Sequence, residues 1–92
     1  MTFIIHTKGF DLDNQLHDFI EASLSTLLRL PIAIAEAIIT LGESSTEGQP
    51  RKYCRIKLTA RERTYNSVQY ANAYEEAVLR VIKQLDAILQ KM

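Results

Sequence analysis

Apolar side chains recur at three- and four-residue steps in two segments of the chain. The first segment carries Leu16, Phe19, Ile20, Leu24, Leu27 and Leu28, and the second carries Tyr74, Ala77, Val78, Val81, Ile82, Leu85, Ile88 and Leu89. This spacing gathers each set on one side of a helix. The pattern therefore predicts two amphipathic helices, over residues 13–29 and from residue 72 onward. We expect Asp13 to cap the first helix and a capping box of Asn72 and Glu75 to begin the second.

Three other segments have the composition of strands. Residues 2–7 are β-branched and aromatic, and residues 64–70 are predicted to return after a tight turn at 61–63. Before that turn, residues 51–60 alternate: one face holds Cys54, Ile56, Leu58 and Ala60, and the other holds Arg51, Tyr53, Arg55, Lys57 and Thr59. Such alternation is typical of an antiparallel strand with one face in the core and one in water. This register places Tyr65 on the solvent face beside Tyr53 and turns Tyr70 inward.

Residues 32–41 fit either a strand or a short helix, because alanine and glutamate favour helix whereas isoleucine and threonine favour strand. We predict a strand, since Pro31 precedes the segment and Gly42 with the polar residues 43–49 is typical of a hairpin loop. The inward residues would be Ala35, Ala37, Ile39 and Leu41, and the opposite face would carry Ile34, Glu36, Ile38 and Thr40.

The predicted order of elements is β-α-β-β-β-α, which corresponds to an α+β fold. We expect the first strand–helix–strand crossover to be right-handed and to make its two strands parallel, with the remaining strands in a meander. Because each helix has a single apolar face, both can pack on one face of a four-stranded mixed sheet. We expect one domain over residues 1–92, with the other face of the sheet open to solvent or to a partner.

Composition narrows the classes of protein and site. No apolar run approaches the roughly 18 residues that a membrane span needs, so we expect a cytoplasmic protein without a secretory signal. The single cysteine, Cys54, excludes an internal disulfide and a cysteine-based zinc site. No nucleophile, carboxylate pair or glycine-rich phosphate loop is spaced for catalysis. We therefore expect no enzyme activity, no cofactor, no metal and no small-molecule substrate.

Charge is unevenly distributed although the net charge is zero. Residues 1–49 contain two basic and seven acidic side chains, whereas residues 50–92 contain nine basic and four acidic ones. Six of those nine basic residues lie within residues 51–63. A local excess of positive charge is typical of proteins that bind a polyanion.

The basic residues provide a candidate RNA interface. It comprises Arg51, Tyr53, Arg55 and Lys57 on the strand face, Arg61 and Arg63 at the turn, and Arg80 and Lys83 on the last helix. Cations of this kind bind phosphates, and an exposed aromatic ring stacks on unpaired bases. The alternative is an ordinary solvated strand face whose basic residues oppose Glu36 across the sheet.

Three isoleucines are predicted to lie exposed on the open face of the sheet: Ile4, Ile34 and Ile38. Contiguous exposed isoleucine is typical of a protein interface, and zero net charge removes the usual repulsion between copies of a chain. The pattern therefore predicts a weak homodimer or the binding of another protein through this face. The alternative is a strand register shifted by one residue, which would turn these side chains inward.

Several anchor residues occur in an order that is typical of one family. They are Phe3, Ile5, Leu12, Leu16, Asp18 and Phe19 near the start of the chain and Asn72, Ala73, Tyr74, Ala77 and Val78 at the last helix. Together with the predicted order of elements, they make nearly the whole chain resemble the short ribosome hibernation-promoting factors. These are also called ribosome-associated inhibitors or sigma-54 modulation proteins. The chain departs from the family in its first helix, which carries Asp18 and Glu21 where members are usually basic.

The resemblance implies a function without catalysis. A protein of this kind would bind the small ribosomal subunit through its rRNA, occupy the path of tRNA and mRNA, and inhibit translation so that ribosomes hibernate under stress. The residues also leave open a protein-interaction module, a weak homodimer that keeps the fold and has lost the RNA-binding surface. The acidic first helix and the exposed isoleucines favour this alternative.

Overall fold

The computed structural model describes residues 1–46 and 48–91, so that Glu47, in the predicted hairpin loop, and Met92 lie outside the described residues. The elements are β1 (Thr2–Thr7), α1 (Asn14–Ser25), a short 3₁₀ helix (Leu27–Arg29), β2 (Ile34–Thr46), β3 (Gln49–Ala60), β4 (Arg63–Ala71) and α2 (Tyr74–Gln90). The predicted order and the α+β fold are confirmed. The ambiguous segment 32–41 contributes to β2, and most of the polar run expected as a loop extends the β2–β3 hairpin.

The four strands lie in the order β1-β2-β3-β4. β1 runs parallel to β2, with Ile4 opposite Ile38, whereas the β2–β3 and β3–β4 pairs are antiparallel. The parallel pair needs a crossover, which α1 supplies, and short turns suffice for the antiparallel pairs. The mixed sheet and the meander are therefore those that the sequence predicts.

Both helices pack on one face of the sheet, here called the covered face, and the other is called the open face. The core joins the apolar stripes of both helices to the covered face of the strands. Side chains that are fully buried there include Ile20, Leu24, Ile39, Leu41, Ile56, Leu58, Val81 and Leu85. In the described part of the chain, no helix is both long and apolar enough to cross a membrane.

The two helices begin differently. Asp13 caps α1 as predicted, since its Oδ1 accepts a hydrogen bond from the backbone N–H of Leu16 at 2.7 Å. The capping box predicted at Asn72 is wrong, because α2 begins at Tyr74 and its N-cap residue is Ala73, which has no polar side chain. Burial of the apolar face of α2, rather than a cap, is therefore the main source of its stability.

A bulge near the start of β2 corrects the predicted facing of that strand. Ile34 pairs with Ala60 and Glu36 pairs with Thr59, which leaves Ala35 as an extra residue between the two pairs. The insertion turns Ile34 into the core, where it is 6% exposed, and leaves Ala35 exposed. The predictions that Ile34 lies on the open face and that Ala35 faces the core are therefore wrong.

The β3–β4 turn is one residue shorter than predicted. Arg61 and Glu62 both have a positive φ, 52° and 64° respectively. Two consecutive positive φ values are typical of the two-residue type I′ turn, whose twist matches that of the strands it joins. Arg63 is consequently the first residue of β4 and pairs with Ala60.

This shorter turn reverses the predicted facing of β4, because a shift of one residue moves every side chain to the other face. Tyr70 lies on the open face opposite Tyr53, and Tyr65 lies on the covered face opposite Leu58 and packs against the core. The prediction that Tyr65 is on the solvent face and Tyr70 inward is therefore wrong.

Two leucines of α2 provide a matched test of the core. Leu85 is fully buried and Leu79 is 52% exposed on the same helix. We expect Leu85→Ala to lower the free energy of unfolding by about 2–5 kcal/mol, because it removes buried apolar contacts and leaves a cavity. Leu79→Ala should change it by no more than about 0.5 kcal/mol. Urea denaturation followed by circular dichroism measures both values, and equal losses would contradict this packing.

Candidate nucleic-acid interface

Side chains of the open face form rows across the strands. From β1 to β4 the rows are Thr2–Glu36–Thr59–Thr64, Ile4–Ile38–Lys57–Asn66, His6–Thr40–Arg55–Val68 and, from β2 onward, Gly42–Tyr53–Tyr70. The β1–β2 side carries the apolar pair Ile4 and Ile38, and the β3–β4 side is basic and aromatic. The open face therefore has two zones of different chemistry.

Arg51, Arg55 and Lys57 form a basic stripe along β3, and all three side chains are exposed as predicted. Alternate residues of a strand lie roughly 7 Å apart, so that one extended anionic chain can contact all three. Among the described strand residues of the open face, Glu36 is the acidic one, and it lies in the row farthest from Arg51. The electrostatic potential over this stripe is therefore positive although the whole chain is neutral.

The remaining predicted RNA-binding residues lie beyond the basic stripe, at its end or on other surfaces. Arg61 lies in the β3–β4 turn. Arg63 is opposite the buried Ala60, so it is on the covered-face side of the sheet rather than with the basic stripe. Lys83 is exposed on α2, which packs on the covered face. A flat ligand on the open face would therefore meet the stripe and not Arg63 or Lys83.

Arg80 is held at the outer side of β4. Its Nη1 donates a hydrogen bond to the backbone oxygen of Tyr70 at 2.7 Å, and its Nη2 donates to Oε1 of Glu76 at 2.6 Å. The carboxylate neutralises much of the charge that Arg80 would offer to a phosphate. Its clearest role is therefore to fix the end of β4 to α2.

Tyr53 and Tyr70 form an aromatic pair on the open face, here called the tyrosine pair. Their ring centroids are 6.0 Å apart and their planes are tilted by 53°. Tyr53 lies across Gly42, since a Cβ atom there would come within 2.8–2.9 Å of its ring and hydroxyl atoms. The sequence does not reveal this pair, because neither Arg61 nor Glu62 is the glycine or asparagine that usually marks a two-residue turn.

The apolar zone is smaller than predicted. Ile4 is 44% exposed, and its cross-strand neighbour Ile38 is half-buried. Ile34 belongs to the core, so it cannot contribute to an interface. The candidate protein interface is therefore reduced to Ile4 and Ile38.

A second aromatic cluster lies where both helices begin. The rings of Phe10 and Tyr74 stack with centroids 4.7 Å apart, and Nζ of Lys52 is 5.1 Å from the Tyr74 centroid. Desolvation by burial, followed by the negative charge of Glu43, raises the pKa of Tyr74. A shallow cleft of about 510 Å³ lies between this cluster and α1. Lys52 lies between Arg51 and Tyr53 along β3, so its side chain is on the covered-face side of the sheet. It therefore adds no charge to the open face.

Cys54 is a core residue rather than a reactive thiol. It lies on the covered face with 0% exposure, and burial raises the pKa of its thiol from the ordinary 9.0 to about 12. Within residues 1–46 and 48–91, no three His, Cys, Asp or Glu side chains are grouped so as to hold a metal ion.

Solved structures of other proteins share this fold. The N-terminal domain of Protein Y from Thermus thermophilus superposes with a TM-score of 0.79 and 13% sequence identity, covering 98% of this chain and 93% of that one. A ribosomal subunit interface protein from Coxiella burnetii gives a TM-score of 0.83 and 17% identity, covering 99% and 96%. The sequence matches no known family profile and no curated protein. At these identities the likeness establishes a shared fold, and at that level the resemblance to hibernation factors is confirmed.

Burial of Cys54 predicts its chemical reactivity. A thiol reagent at pH 8 should leave the native protein unmodified, because the sulfur is enclosed and protonated, and should react fully in denaturant. Because folding raises the thiol pKa, the folded state is favoured by the buried thiol in its protonated form. This contribution to the free energy of unfolding is complete below pH 9 and is lost as the pH rises towards 12. Rapid modification of the native protein, followed by mass spectrometry, would contradict this placement.

Proposed function

We propose that this protein is a non-enzymatic ribosome-associated factor that binds the rRNA of the small subunit and inhibits translation. Its mechanism is occlusion, in which a folded domain fills part of the tRNA and mRNA path while basic side chains contact phosphates. The proposal includes action in the cytoplasm, under conditions of stress in which ribosomes are held inactive. Two proteins of the same fold, one of them titled a ribosomal subunit interface protein, support this assignment.

The single observation that carries the proposal is the basic stripe. Arg51, Arg55 and Lys57 project from one strand of an open sheet face, and Cys54, Ile56 and Leu58 anchor the alternate positions in the core. Contacts of this kind bind the phosphate backbone without selecting a sequence. Arg61 extends the stripe at the turn, and Arg80 and Lys83 on α2 would contact RNA only if it curved around the β4 side of the sheet.

Charge reversal within the stripe tests the proposal. Four phosphate contacts, at Arg51, Arg55, Lys57 and Arg61, give a log–log salt dependence of affinity for single-stranded RNA with a slope of about −3, at about 0.7 per contact. The Arg55→Glu, Lys57→Glu double variant should reduce the slope to about −1.4 and abolish cosedimentation with ribosomes at moderate salt. Both side chains are solvent-exposed, so folding should survive.

A variant with the same change in net charge is the control for this experiment. Arg29→Glu, Lys91→Glu alters two exposed residues of the 3₁₀ helix and of the end of α2, away from the open face. This control should cosediment like the parent protein. Undiminished binding of the Arg55→Glu, Lys57→Glu variant would place the ribosome contact on another surface. Absence of the parent protein from ribosomal fractions at every salt concentration would refute the proposed function.

The apolar zone favours a second candidate function, a protein-interaction module that forms a weak homodimer. Ile4 is 44% exposed beside Ile38 in the same row, and the zero net charge allows copies to approach one another. Such a module would use the β1–β2 side of the open face. It would need neither phosphate contacts nor the basic stripe.

Substitution of the two isoleucines tests this candidate. If Ile4 and Ile38 form the interface, Ile4→Thr, Ile38→Thr should give a monomer at every concentration with unchanged helix content, because threonine retains strand propensity while removing apolar area. Sedimentation equilibrium measures the association constant for the parent and the variant. A parent protein that is monomeric at the highest accessible concentration would exclude the homodimer.

A further inference from the structure

The tyrosine pair lies among positive charges on the open face. Tyr53 is flanked along β3 by Arg51 and Arg55, two residues away on either side, and Tyr70 lies directly opposite Tyr53 on β4. Tyr70 is 39% exposed although it lies at the end of a strand whose other face is packed on a helix. Two aromatic rings and two guanidinium groups therefore occupy one continuous surface.

This combination is complementary to a nucleotide. An aromatic ring stacks on a nucleobase whatever its identity, and a guanidinium group binds the adjoining phosphate. Among the described strand residues of the open face, the acidic one is Glu36, which lies six residues from Gly42 along β2, roughly 20 Å from the tyrosine pair. Glu43 is nearer, but it alternates to the covered-face side of the sheet, where it lies opposite Lys52. A nucleotide can contact both groups at once, the arginines through its phosphate and a tyrosine through its base.

The exposed tyrosine ring also favours unpaired over base-paired RNA. In a duplex the bases are stacked on one another and the faces of their rings are inaccessible, so an exposed tyrosine can stack only on an unpaired base. An extended single strand following β3 brings successive phosphates past Arg51 and Arg55 while one base reaches the tyrosine pair.

We propose that the tyrosine pair is a stacking site for an unpaired base of a single-stranded RNA segment, with Arg51 and Arg55 binding the flanking phosphates. This inference rests on the proposed function and deepens it, because it names unpaired nucleotides, rather than helical rRNA, as the ligand of the open face. Tyr70 and Tyr53 are then binding residues, and Gly42 is a positioning residue that leaves room for the Tyr53 ring.

The test uses three RNA probes with the full chain. They are a twelve-nucleotide single strand, the same strand with its bases replaced by abasic residues, and a hairpin of the same length. Tyr70→Thr should lose about five- to a hundred-fold of the affinity for the intact single strand, and it should bind the abasic strand as the parent does, because only stacking is removed. Tyr70→Phe should retain the parent's affinity. Arg80 bonds to the backbone oxygen of residue 70, so this contact does not depend on the substituted side chain.

Leu79→Ala is the control, because it removes an exposed apolar side chain of α2, away from the open face, and should leave RNA affinity unchanged. Equal affinity of the parent and of Tyr70→Thr for the intact strand would overturn the inference, as would a preference for the hairpin. In either of those results, salt-sensitive cosedimentation with ribosomes would leave the proposed function standing. A Tyr70→Thr variant that changes oligomeric state instead of RNA affinity would identify the tyrosine pair as a self-interface and would also overturn the inference.

Discussion

Burial of alternate side chains along β3 is the constraint on which the rest of the structure depends. Cys54, Ile56 and Leu58 are fully buried in the core between the sheet and the helical layer. A register shift of one residue would exchange them for Arg55 and Lys57, and charges in a core without partners cost several kcal/mol each. The same burial that stabilises the core therefore fixes the position of the basic stripe. The alternation of apolar and basic residues along β3 thus determines both the stability of the core and the charge pattern of the surface.

The fold could be predicted from the sequence because its signals are long and repeated. Two helical stripes and the alternation of β3 each involve many residues, so that a single exception does not obscure them. The wrong predictions concern the facing of strand residues at places where one or two residues decide it. The bulge at Ala35 reverses the facing of the first two residues of β2, and the two-residue turn at Arg61 and Glu62 reverses the facing of β4. None of these residues is of the type that usually marks such a feature.

The candidate site was accordingly predictable in part. Arg51, Arg55 and Lys57 were placed correctly because they lie on β3 itself, whose alternation is unambiguous. The partnership of Tyr53 with Tyr70 could not be foreseen, since it depends on the length of the turn between the two strands. For the same kind of reason, Ile34 was assigned to a surface although the bulge directs it into the core.

The bonds of Arg80 have a consequence for how these molecules behave at high concentration. β4 is an outer strand, and unpaired carbonyls on outer strands invite strand addition by another chain, the first step towards aggregates. At the end of β4 the carbonyl of Tyr70 is already bonded to a guanidinium that Glu76 holds in place. An incoming strand would have to displace both contacts to extend the ladder there. α2 thus covers one face of the sheet and also opposes strand addition at this end of β4.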